Sequence, residues 1–161
     1  MACYYYGWLY IYLCGSNLFI FVSTLPGLYF EWGEYNGQYY GTRLDAIRDV
    51  MNAGKICVVD CYPPALKILK TAEFMPLIVF LDVPPVTQLL AANREKEPRE
   101  QRTAEQLHGM VEESNFIREK YHHYFDVEIQ GGDLENVYNI LKKQIERFFH
   151  EPQWVPVSWV Y

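Results

Sequence analysis

Three short apolar runs, separated by segments of helical periodicity, constrain this chain more than any other feature. KICVVD (55–60), PLIVFL (76–81) and VEIQ (127–130) each read as a buried strand, and the first ends in Asp60 at its carboxyl tip. Between them, Leu44, Ile47, Val50 and Met51 recur at helical spacing, with Thr42 as N-cap, Asp45 where a capping-box acid stands and Gly54 closing the helix. Pro63 and Pro64 suit the opening of a second helix carrying Ala65, Leu66 and Leu69, and PPVTQLLAANR begins a third. A long helix spans about Ala104 to Phe125. Asp133 caps a last one, whose stripe is Leu134, Val137, Tyr138, Leu141, Ile145, Phe148 and Phe149. Strand–helix alternation of this kind implies an α/β fold with a parallel, doubly wound sheet. Such sheets bind ligands beyond the carboxyl ends of their strands, where Asp60 is expected.

Upstream, FEWGEYNGQYYGT (30–42) places Asn36-Gly37 between two aromatic-rich runs. A type I′ turn needs φ > 0 at both central residues, so this dipeptide predicts a hairpin. Counting outward pairs Tyr35 with Gln38, Gly33 with Tyr40 and Glu31 with Thr42. Alternation then puts Glu31, Tyr40 and Thr42 on one face, with room above Gly33. From spacing alone, the simpler reading of that face is a solvated one with nothing bound.

The totals narrow the partners. The 161 residues suffice for one domain with a core. A net charge of −6 argues against a nucleic-acid backbone as partner. Cys3, Cys14, Cys57 and Cys61 have neither zinc-finger spacing nor the density of a disulfide scaffold, and Cys57 and Cys61 are read as reduced thiols on one strand face. His122 and His123 are adjacent, and adjacent residues on a helix do not share a face, so they form no metal pair. Residues 93–105 mix Arg94, Lys96, Arg99 and Arg102 with Glu95, Glu97 and Glu100, which favours a solvated mobile loop over a phosphate-gripping lid. Residues 1–30 carry no Asp, Glu, Lys or Arg and are long enough to span a bilayer as a helix. Against a span stand Gly15, Ser16 and Asn17 in its middle, and LFIFVS reads more easily as a buried strand. The tail QWVPVSWVY is apolar and, with Pro156, excluded from a helix; it reads as a strand that pairs with something.

FEWGEYNGQYYGT, KICVVD, EFMPLIVFL, YHHYFDVEI and EPQWVPVSWVY together resemble the guanylate-kinase-like domain of MAGUK scaffolds, in the membrane-palmitoylated, PALS-type subfamily. The likeness covers about residues 28–161, which divides the chain into an uncharged segment 1–27 without counterpart, an N-terminally truncated kinase-like domain 28–150 and a C-terminal strand segment 151–161. It implies a P-loop-kinase-like sheet with a small GMP-binding-type hairpin region, lacking the P-loop strand. By the same resemblance Glu31, Tyr40 and Thr42 match the GMP site and Asp60 lies at the cleft edge, while a second carboxylate that reads guanine is Tyr62 here.

No GxxxxGK[ST] run occurs in these residues, so the backbone nest and lysine that grip ATP phosphates are missing. The expectation is therefore an inactive domain, without cofactor or metal, that binds proteins or phosphopeptides through the former GMP hollow. By resemblance, Trp154–Trp159 would pair with the Src-homology-3 domain of a full-length MAGUK. The setting would be the cytoplasmic side of the plasma membrane at cell junctions, with peripheral membrane association. The alternatives are an active guanylate kinase and a membrane-anchored fragment.

Overall fold

The structure is a computed structural model and describes residues 28–36 and 38–160. These fall into two compact units that divide after Pro76.

The first unit begins with an antiparallel ribbon of β1 (Tyr29–Tyr35) and β2 (Gln38–Arg43). Its register is Tyr35↔Gln38, Gly33↔Tyr40 and Glu31↔Thr42. Asn36 sits at φ +52°, the left-handed conformation that asparagine tolerates and that the first position of a type I′ turn demands. The register shifts by one residue between Tyr29 and Glu31, and the extra residue, Phe30, is buried; a bulge of this kind bends a strand toward the core. The ribbon's base is closed by the Leu44 N–H donating to the Leu28 carbonyl at 3.0 Å. Helix α1 (Leu44–Asn52) follows β2 directly and buries Leu44 and Ile47. It ends at Gly54, whose φ of +69° and N–H bond to the Met51 carbonyl (2.9 Å) stop the helix. A 3₁₀ turn (Pro63–Ala65) leads into the single-turn α2 (Leu66–Leu69), burying Pro63, Ala65, Leu66 and Leu69.

The second unit is built on β3 (Val79–Asp82) and β4 (Val127–Gln130), a parallel pair in register from Val79↔Val127 to Asp82↔Gln130. Parallel strands need a long crossover. Here it contains α3 (Val86–Arg94) and α4 (Ala104–Tyr121). Residues 77–80 are all buried, as a strand covered on both faces requires, and Phe80 stacks on Phe125 with centroids 4.7 Å apart. Beyond β4, the Gly131 N–H donates to the Asp82 carbonyl at 2.8 Å, and a Cβ at 131 would stand 2.5 Å from that same oxygen, so only glycine fits. Helix α5 (Leu134–His150) completes the unit, with Asp133 accepting from the Glu135 N–H at 3.1 Å as its cap.

Several expectations are corrected. Residues 55–60 are not an extended ladder strand: Val59 is a β-bridge residue in an otherwise irregular run, and among the described residues the strands pair as β1–β2 and β3–β4. Thr42 lies within β2, and Arg43 is the N-cap of α1, making no side-chain cap bond. The long helix stops at Tyr121, with His122–Tyr124 tightening into a 3₁₀ turn. On α5 only Leu141 and Ile145 are buried, whereas Leu134, Tyr138 and Phe149 are exposed, a narrower stripe than its spacing suggests. The tail is not a strand: residues 152–156 are irregular and Val157–Trp159 form a 3₁₀ turn after Pro156, with Trp154 fully exposed. Its hydrogen-bonding groups meet no neighbouring strand among the described residues. Residues 94–103 are exposed but tied: half-buried Asn93 bonds the Arg102 backbone in both directions at 2.8 and 2.9 Å. The possible span of residues 1–30 lies, up to residue 27, outside the described residues. No helix among those described is long and apolar enough to cross a membrane.

Candidate functional site

The ribbon of the first unit carries three of the four residues singled out from sequence. Because side chains of directly opposed residues share a face, the register puts positions 31, 33, 40 and 42 on one side of the ribbon. Position 33 is the centre of that side. A Cβ built there meets nothing within 4 Å among the described residues. Thr42 is half-buried at the ribbon's base. Asp60 is exposed, one residue past Val59, in the same unit.

The chemistry of this face is directional without being cationic. A carboxylate accepts, a phenol and a hydroxyl both donate and accept, and none of the positions 31, 33, 35, 38, 40 or 42 is Lys or Arg. The cation next in sequence, Arg43, is engaged by Asp45 at 2.6 Å. Residue types of this kind bring no counter-charge to a phosphate. Tyr62, read from sequence as standing where a guanine-reading acid would be, is exposed.

Two polar clusters escaped the sequence reading. In the first unit Arg48 joins Asp45 and Glu73, at 2.8 Å and 2.5 Å respectively. Hydrogen bonds from Arg43 first, and then from Arg48, hold the Asp45 carboxyl below its usual range, and Arg48 does the same to Glu73. The Asp45–Arg48 half was legible as an i,i+3 pair; Glu73, 25 residues from Arg48, was not. In the second unit, buried Ser114 donates to Asp82 Oδ1 at 2.8 Å and accepts from the Val83 N–H at 3.3 Å, while Arg118 pairs with the other Asp82 oxygen. Arg118 Nε also lies 3.6 Å from Glu128 on β4 and its guanidinium sits 5.8 Å from the Phe80 ring centroid. No histidine joins this cluster in any of these contacts, and Ser114 is only 5 % exposed, so it braces the carboxyl ends of the parallel pair and is not a nucleophile. A serine on the buried side of α4 was its one signal in sequence.

The thiols differ from one another in setting. Cys61 is buried; Cys57 is half-buried, and burial raises its thiol pKa. Among the described residues no group of three or more His, Cys, Asp or Glu is arranged to hold a metal ion.

Comparison with known proteins agrees with the ribbon and the alternating elements. The sequence model of the guanylate kinase family matches residues 25–148. Human MAGUK p55 subfamily member 2 is 47% identical over 139 residues, covering 84% of this chain and 24% of the relative. Mouse Protein PALS2 is 41% identical over 139 residues, covering 84% of this chain and 25% of the relative. Zebrafish (Danio rerio) Protein PALS1 is 35% identical over 141 residues, covering 86% of this chain and 20% of the relative. The chain thus spans about a quarter or less of the length of these relatives. The family implies an α/β fold of the P-loop-kinase type, in keeping with the parallel β3–β4 pair and its helical crossover. On this evidence the chain belongs to the guanylate kinase family, with a kinase-like domain of the sort found in the MAGUK p55 and PALS proteins.

Proposed function

We propose that this chain is a catalytically inactive guanylate-kinase-like interaction domain of a MAGUK scaffold, binding a partner protein or peptide through the hairpin face where its family holds GMP. What supports this reading is the ribbon register, in which Glu31 opposes Thr42 and Gly33 opposes Tyr40. Asp60 completes the seat at its edge. The domain spans residues 28–150, with 151–161 as a segment that becomes a strand when a Src-homology-3 domain supplies the neighbouring edge.

Inactivity follows from what phosphoryl transfer requires. Its catalysis is almost wholly the positioning of a triphosphate and neutralisation of its charge, usually with Mg²⁺. These 161 residues contain no GxxxxGK[ST] run to do this. Tyr62 in place of a guanine-reading acid weakens nucleotide selection as well, by about 1.5–3 kcal/mol for a lost charged hydrogen bond. The sheet is accordingly read as one without its P-loop strand. A scaffold of this class works on the cytoplasmic side of the plasma membrane at cell junctions, held there peripherally.

Calorimetric titration of the protein with GMP, and separately with a phosphoserine peptide, tests the seat. Saturable binding of either, weakened by Tyr40→Phe, supports it, whereas no binding of both removes it. ADP formation from GMP and ATP–Mg²⁺ by the pure protein would establish the competing reading, an active kinase.

A further inference from the structure

We propose that Arg48 is a positioning residue for the hairpin face, tying the base of the β1–β2 ribbon to the turn 71–75 without itself touching a ligand. The inference rests on that face being the ligand seat proposed above.

There is no slack between ribbon and helix. Arg43 is at once the last residue of β2 and the N-cap of α1, and its side chain bonds Asp45 instead of the helix end. Asp45 also takes the Nη1 of Arg48 at 2.8 Å. The rest of the Arg48 guanidinium faces the other way: Nε and Nη2 meet the two oxygens of Glu73 at 2.5 and 3.1 Å, and its carbon lies 5.5 Å from the Phe74 ring centroid. All three nitrogens are used. A two-pronged fork on a carboxylate, stacked on an aromatic ring, fixes direction as well as distance, which a lysine cannot do.

The turn that Arg48 grips is itself strained. Met75 has φ +38°, a left-handed conformation uncommon outside glycine and asparagine and disfavoured before a proline such as Pro76. Its N–H bonds the Thr71 carbonyl at 2.9 Å, and the buried Thr71 hydroxyl finds no hydrogen-bond partner among the described residues. Such features persist only where the surroundings enforce them. The Arg48–Glu73–Phe74 grip is a contact positioned to help do so here. Both carboxyls titrate below their usual range, so the grip is charged throughout the neutral region. Through Asp45 and Arg43 it then sets the base of β2, where Thr42 opposes Glu31.

Amide hydrogen exchange of wild type, Glu73→Gln and Arg48→Lys tests this directly, with GMP affinity as a second readout. The expected result is exchange of the 31–42 amides about two- to fivefold faster in both variants, the range open to an exposed ion pair. The amides of β3 and β4 keep their rates, and GMP affinity falls by the same factor. A grip that serves only its own turn would loosen residues 71–75 and leave the ribbon amides and GMP affinity unchanged; that outcome overturns the proposal. A wild type that takes up no GMP overturns the seat, and the exchange rates then decide the tie by themselves.

Discussion

The same substitution at two glycines has opposite expected consequences. At Gly131 an added methyl would stand 2.5 Å from the Asp82 carbonyl oxygen and 3.2 Å from Pro84 Cδ. Neither neighbour is the loose end of a flexible side chain, and the Gly131 N–H is bonded to that same oxygen at 2.8 Å. Relief therefore strains the β3 end or stretches the bond. Overpacking costs about 1–3 kcal/mol, and a weakened buried hydrogen bond adds about 0.5–1.5 kcal/mol. Gly131→Ala should lose about 1.5–4.5 kcal/mol in all. At Gly33 nothing among the described residues lies within 4 Å of the added methyl and φ is not in the left-handed region. Gly33→Ala should hold stability or gain about 0.4–1 kcal/mol by restricting the unfolded chain. It should nonetheless weaken any ligand seated over residue 33, because the methyl occupies the space the ligand uses. Urea unfolding of both variants, followed by GMP titration of Gly33→Ala, measures all three effects. A neutral Gly131→Ala, or a Gly33→Ala that costs more than about 1 kcal/mol, would refute the packing assigned to these positions.

Other outcomes follow from single contacts. Tyr40→Phe should weaken binding at the hairpin face by about 1 kcal/mol, the worth of one hydrogen bond, and unchanged affinity in calorimetry would exclude Tyr40 as a contact. Ser114→Ala leaves the Val83 N–H and one Asp82 oxygen without their partner, so denaturant titration should show a loss of about 1–3 kcal/mol. Asp45 and Glu73 have folded pKa values below their ordinary 3.8 and 4.5, so their contribution is complete above about pH 4.5 and disappears as pH falls through the lower folded values. Acid titration of Glu73→Gln should be the flatter of the two curves in that window, and identical curves would count against the ion pair. Burial raises the Cys57 thiol, so its alkylation by iodoacetamide near pH 8 should be slower than that of a free cysteine, read by mass spectrometry.

What was legible in sequence was what a few local rules determine. Asn36-Gly37 announces the turn, and the turn sets the register that pairs Glu31 with Thr42 and Gly33 with Tyr40 without any tertiary information. Asp133 likewise announces α5, because a capping side chain acts within one turn. The misses share a cause of the opposite kind. Residues 55–60 and the tail both read as strands from their own composition, but a strand requires a paired neighbour, and among the described residues neither has a ladder partner. The breadth of the α5 stripe failed similarly: Leu134, Tyr138 and Phe149 have helical spacing and remain exposed, since burial depends on what packs opposite. Glu73 and Ser114 were invisible because the partners that give them meaning lie 25 to 32 residues away in sequence.

The most direct test is an amide-resolved NMR titration of the protein with GMP and then with ATP–Mg²⁺. Binding on the hairpin face without a donor site predicts that GMP shifts the amides of residues 31, 33, 40 and 42 and that ATP–Mg²⁺ shifts no amide in a saturable way. Saturable ATP–Mg²⁺ shifts, or a GMP titration that leaves those four amides still, would contradict it.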